Sequence, residues 1–227
     1  MSWISNDLSF IVTPKDRNYY DIYAKYMAQS WRHGAVVLPS RFMSNNKSSK
    51  VYAYRFEWDN LRDFFIGDFS EIIGAAHAIE IPMVSGDFNL AEEFKWIVYP
   101  RSQSKRYVSK NMMNFWTNFA KNGVPGKSTN GKQWISYDEE RNFMIIDKKN
   151  NLKMQTDNVS YKSLAKELYK DNRVSSLEKC VILLQMFTFV GNDIYDKEIK
   201  NYQGQCDRKN SEQFLKDNAS FIDYAGS

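Results

Sequence analysis

Alternation governs the stretch from Val51 to Trp58, where Tyr52, Tyr54, Phe56 and Trp58 fall on one side and Val51, Ala53, Arg55 and Glu57 on the other. A period of two predicts a strand with one aromatic face. Polar Asp59-Asn60 ends it, and no long regular period follows until Ile79. Elsewhere the period is helical. Asp16 is placed to cap a helix in which Tyr20, Tyr23, Ala24, Met27, Ala28 and Trp31 recur at spacings of three and four, with Gly34 as its stop. Between Ser104 and Asn122 the residues Val108, Met112, Phe115, Trp116, Phe119 and Ala120 form one apolar stripe, closed by Gly123 and Pro125. Short strands are predicted over Gln133–Tyr137 and Asn142–Asp147, then a short helix over Ser160–Tyr169 with Leu164, Ala165 and Leu168 inward. A capping box, Ser175-Ser176-Leu177-Glu178, opens a helix through Val190 with Val181, Leu184, Phe187 and Phe189 on its apolar side. Met1–Pro14 is a mixed lead-in around the apolar run Leu8–Val12, Ser44–Lys50 is a polar loop, and the tail after Gly204 is polar and loosely held.

Composition narrows the picture. The chain has 227 residues, 43% hydrophobic and 15% aromatic, enough to bury a substantial core, and no repeat, low-complexity tract or Pro-rich linker divides it. One domain, or a large part of one, is expected. Its 31 basic and 27 acidic residues are interspersed for a net charge of +4, so long-range attraction to nucleic acid or anionic lipid is not the organising force. The apolar run before Val190 is too short to span a bilayer. Cys180 and Cys206 show no zinc-ligand spacing, and either a disulfide or two free thiols fits them. Met1–Phe10 lacks the basic-then-apolar pattern of a signal peptide, which leaves localisation open.

The chemistry gathers at Gly74-Ala75-Ala76-His77. A neutral imidazole can take and return a proton near pH 7, as the general base of acyl transfer must, and small residues before it permit close backbone approach. The other histidine, His33, sits where a helix is expected to end, and there it reads as a partner of the dipole. Glu80 follows His77 by three positions. A metal pair is discarded for lack of an H-E-x-x-H frame, and Met83 and Val84 read as core.

The words VYAYRFEWD, GAAHAIEIPMVSGDF and MMNFWTNFAKNGVPG, in that order, resemble the C-terminal third of the carboxylesterase and cholinesterase family of α/β-hydrolases. The resemblance implies an α/β fold, here an incomplete C-terminal part made of late sheet strands and packing helices. It places the role of the catalytic histidine on His77 and a supporting role on Glu80. Ala78 stands where the family has glycine after the histidine, and Ser85 where it has phenylalanine before Gly86.

The family's nucleophile lies in a G-x-S-x-G elbow, with chain order Ser, acid, His. No such elbow occurs in this sequence, and the acidic member and the glycine-rich oxyanion segment are expected upstream of it. The chain therefore reads as a C-terminal fragment or split piece of a serine carboxylic-ester hydrolase, inactive alone, whose partner is the missing N-terminal portion and whose substrate is a small carboxylic ester. It implies no cofactor and no metal. The alternative is a non-catalytic, esterase-like binding protein. Either way, a strand flanked by absent neighbours leaves sheet edge and apolar surface exposed, so aggregation or partial disorder is expected of the chain alone.

Overall fold

The computed structural model describes residues 4–5, 13–14, 16–46, 50–63, 68–89, 95–138, 140–148 and 151–187, with 213 and 216. The run Leu8–Val12, part of the polar loop at 47–49, the end of the last predicted helix with Phe189 and Val190, Cys206 and the tail after Gly204 lie outside them. Two compact units form: residues 1–7, 13–39 and 158–227, and residues 8–12 and 40–157.

In the first unit β1 (Ile4–Ser5) pairs antiparallel with β2 (Thr13–Pro14). Helix α1 (Arg17–Arg32) starts where expected, with the Asp16 carboxylate accepting from the Tyr19 amide at 3.0 Å. Its buried face is not the expected one. Tyr19, Ile22, Tyr23, Tyr26 and Ser30 are buried, while Ala24, Ala28 and Trp31 are exposed. Gly34 does not stop it either: a π-helical segment, His33–Val37, carries the chain on into α2 (Leu38–Ser44). A Cβ at Gly34 would stand 2.7 Å from the Tyr161 hydroxyl, so close approach explains this glycine. His33 stands at the C-cap position of α1, as expected, but the helix runs on through it, so it faces no free helix end. It is buried, with its ring edge-on to Tyr161 at 4.7 Å.

Helices α7 (Tyr161–Lys170) and α8 (Ser176–Met186) complete this unit, each opened by a serine capping box. Leu164, Ala165 and Leu168 turn inward as expected, against Tyr26, Ile182 and Leu183 in one cluster. Cys180 lies in that cluster and is disulfide-bonded. At the end of α7 the Asp171 carboxylate accepts from the Arg173 amide at 3.1 Å and from its guanidinium at 2.9 and 2.6 Å. Those side-chain bonds hold Asp171 down to about 2. A depressed folded value stabilises above the ordinary aspartate range, and that contribution is lost as pH falls from about 4 towards 2. The melting-temperature gap between the wild-type chain and Asp171→Asn should therefore be full at pH 6 and close towards pH 2; a gap that widened on acidification would contradict the pairing.

The second unit is built on a three-stranded sheet of order β3 (Ala53–Phe56), β4 (Asn142–Ile146), β5 (Lys153–Thr156). Strand β3 runs parallel to β4, with Ala53 opposite Phe143 and Phe56 opposite Ile146, and β5 runs antiparallel to β4. The expected strand over Gln133–Tyr137 is absent as such; those residues make only isolated bridges, Lys127 to Gln133 and Val51 to Tyr137. Strand β5 was not expected. Every residue of β4 is buried, as suits a central strand.

Short helices α3 (Phe69–Ile72), α4 (Ile81–Ser85) and α5 (Lys95–Val98) lie between β3 and the long α6 (Gln103–Asn122). Ser102 caps α6, and Gly123, at φ 71°, closes it in the left-handed conformation the sequence predicts. Val108, Met112 and Phe115 are fully buried against Trp58, Met144 and Ile146, whereas Phe119 is 48% exposed. The aromatic face of β3 is present as expected, with Tyr52, Tyr54 and Phe56 packed onto that cluster and Trp58 inside it.

Candidate functional site

His77 is exposed, in a turn over residues 77–80 between α3 and α4. Asp68 caps α3 by accepting from the Glu71 amide at 2.9 Å, and Gly74 then takes a left-handed φ of 58° to turn the chain. Ala78, directly after the histidine, also has a positive φ, 71°. Here lies the physical content of the alanine that stands where the resembled family carries glycine: the backbone keeps a glycine conformation and a methyl group endures it. Such strain costs on the order of 1 kcal/mol. Ala78→Gly should accordingly raise the unfolding free energy of this unit by up to about 1 kcal/mol. Chemical denaturation would read it, and a loss of stability would refute the strain.

Beyond Ala78 the backbone is pinned by side chains from elsewhere in the unit. Tyr99 donates its hydroxyl to the Ile79 carbonyl at 3.0 Å, and Ser109 of α6 donates to the Met83 carbonyl at 3.0 Å. Met83 is fully buried and Val84 partly so, as expected, while Ile81 points outward. Pro82 opens α4, and Gly86 closes it at φ 74°. Neither Tyr99 nor Ser109 carries a sequence signal for this role, because each bond joins a side chain to a backbone carbonyl 20 or 26 positions away. The one available hint was a serine on the buried stripe of α6 between Val108 and Met112.

Glu80 is half-buried and faces aromatic hydroxyls. The Tyr54 phenol is pushed up by burial first, then by the charge of Glu80 and a hydrogen bond with it. Tyr99 is raised to about 12, again by burial first and Glu80 second. Tyr54 also lines an open aromatic cleft of about 240 Å³ together with Tyr52, Phe115, Trp116 and Trp134. Glu80 thus joins the turn that carries His77 to the wall of that cleft. Among the described residues, no group of three or more His, Cys, Asp and Glu is placed to hold a metal, and no helix is long and apolar enough to cross a membrane.

The carboxylesterase family model matches residues 2–165. The chain belongs to the carboxylesterase family of hydrolases, and its fold class is α/β-hydrolase-like. It is 26% identical over 111 residues to an acylcarnitine hydrolase of Rattus norvegicus, covering 49% of this chain and 19% of that protein. It is 35% identical over 106 residues to a bile salt-activated lipase of the same species, 45% of this chain and 16% of the relative. With the human bile salt-activated lipase the identity is 36% over 109 residues, 47% and 13%. The chain thus spans under a fifth of the length of these relatives. A solved PNB esterase superposes with a TM-score of 0.41 at 26% identity, over 57% of this chain and 24% of that one.

Proposed function

We propose that this chain supplies the histidine end of a serine carboxylic-ester hydrolase centre, with His77 as general base and then acid, and with the serine and the acidic partner contributed by an N-terminal portion outside this sequence. In that centre the serine oxygen attacks the ester carbonyl as His77 takes its proton. Collapse of the tetrahedral adduct expels the alcohol, which leaves with that proton, and a water activated by the same imidazole releases the acid and restores the serine. Glu80 acts on this segment indirectly, through Tyr54 and Tyr99. The ligand is a small carboxylic ester, and residues 1–227 form one part of a larger carboxylesterase-like domain.

The observation that carries the reading is an exposed imidazole on a turn whose downstream backbone is fixed by Tyr99 and Ser109. An exposed ring is open to a serine brought from outside, and a pinned backbone gives it a defined position. The test is complementation. The chain is mixed with, or fused behind, a carboxylesterase N-terminal portion bearing G-x-S-x-G, and hydrolysis of a p-nitrophenyl ester is followed. Turnover in the assembly and not in the isolated chain supports the reading. An assembly that folds, yet neither turns over nor reacts with a fluorophosphonate, favours the non-catalytic binding protein instead.

A further inference from the structure

The chain between β5 and α7, residues 157–160, forms neither helix nor strand. Its last two residues are held in place. Val159 packs against the first unit's core cluster, and the Ser160 hydroxyl accepts from the Ser163 amide at 3.1 Å while the Ser160 amide donates to the Ser163 hydroxyl at 2.9 Å. Asn158, just before them, is exposed. The three residues read Asn158-Val159-Ser160, an asparagine with a serine two positions on and no proline between, which is the acceptor pattern for an N-linked oligosaccharide. That pattern also arises by chance, so placement decides its worth. Asn111 and Asn142 are buried, where a glycan has no room, and neither stands in the pattern; Asn158 has it on an exposed loop. A second observation comes from α8. Cys180 is disulfide-bonded, and no free cysteine is present among the described residues. Disulfides form and persist in oxidising compartments, the secretory lumen among them, and that lumen is where N-linked glycans are attached.

We propose that Asn158 carries an N-linked oligosaccharide, and that the chain acquires it, together with its disulfide, in a secretory compartment. The donor is a lipid-linked oligosaccharyl pyrophosphate. The Asn158 side-chain nitrogen attacks C1 of its first sugar, so that an N–C1 bond forms and the C1–O bond to the pyrophosphate breaks. Lipid pyrophosphate departs, and the amide gives up one proton. Ser160 then serves twice: its hydroxyl completes the acceptor pattern on the unfolded chain and caps α7 once the unit has folded. Because Asn158 is exposed, the unit folds with the bulky, hydrated sugar left in solvent. Asn46-Lys47-Ser48 and Asn218-Ala219-Ser220 repeat the pattern, but Ser48 and Asn218 lie outside the described residues and no site is assigned to them. The Asn158 site depends on neither His77 nor ester hydrolysis.

The experiment is peptide mass spectrometry of the protein isolated from its natural source. Trypsin cuts after Lys153 and Lys162, so Asn158 is read in a peptide of its own, apart from Asn46 and Asn218. That peptide should carry a glycan that peptide N-glycosidase removes, leaving aspartate at the position. Finding only the unmodified peptide overturns the proposal. Cys180 should take up an alkylating reagent only after reduction, and labelling in the unreduced protein overturns the shared oxidising compartment. In the full chain secreted from eukaryotic cells behind an added leader, Asn158→Gln should lose the mobility shift of one glycan, while Ser160→Thr, which keeps the hydroxyl, should retain it. A shift that survives Asn158→Gln, or is lost in Ser160→Thr, overturns the assignment to this pattern. The peptide measurement needs no variant, so it decides the matter even where a variant folds poorly.

Discussion

Replacing His77 with alanine is expected to lower the kcat of the complemented hydrolase by about 10⁴- to 10⁶-fold, the range seen when a catalytic histidine is removed from a serine hydrolase. The loss should fall on kcat, since an imidazole that moves a proton in the transition state adds little to ground-state binding. Because His77 is exposed and packs into neither core cluster, the variant should melt like the wild-type chain, which separates lost chemistry from lost folding. Glu80→Gln should cost far less: its carboxylate is hydrogen-bonded with Tyr54, and its charge reaches Tyr99. Undiminished turnover in His77→Ala would remove the residue from the mechanism.

The second large effect is on stability. Phe115→Ala should destabilise the unit of residues 40–157 by about 3–5 kcal/mol, because the ring is fully buried and stands edge-on to Trp134 at 5.1 Å. A loss of that size consumes a large share of an ordinary domain's stability. Phe119→Ala, four positions later on the same helix, should cost about 1 kcal/mol or less, since its ring is 48% exposed. Urea denaturation of the two variants measures the difference. Equal losses would mean that α6 faces its neighbours differently.

That pair of phenylalanines also shows how far the sequence could be read. The stripe of α6 was legible because polar residues flank it and a glycine closes it, but its extent was overestimated: Phe119 and Ala120 share the spacing of Phe115 yet are exposed, Phe119 keeping an edge contact with the Tyr52 ring at 5.9 Å. Helix α1 misled more, since Tyr19, Ile22 and Tyr26 make one stripe and Tyr20, Ala24 and Trp31 another, and only packing onto α7 and α8 decides between them. Strand β5 was hidden because Lys153, Gln155 and Thr156 are exposed, and of its four side chains only Met154 is partly buried against the core cluster. At the candidate site the histidine and its family words were visible. The left-handed Ala78 and the Tyr99 and Ser109 bonds were not, because they arise from backbone geometry and from contacts distant in sequence.

The parallel pairing of β3 with β4 sets a pace for assembly. Ala53 meets Phe143 across roughly 90 intervening positions, and closing such a loop costs on the order of 4 kcal/mol of chain entropy before a single ladder bond repays it. Helices α6, α7 and α8, with their local caps, are therefore the early structures, and this pairing is the slow step. While the chain waits, the aromatic face of Tyr52, Tyr54 and Phe56 stands uncovered. Refolding yield should thus fall as protein concentration rises, an interval during which a nascent chain is most in need of a chaperone.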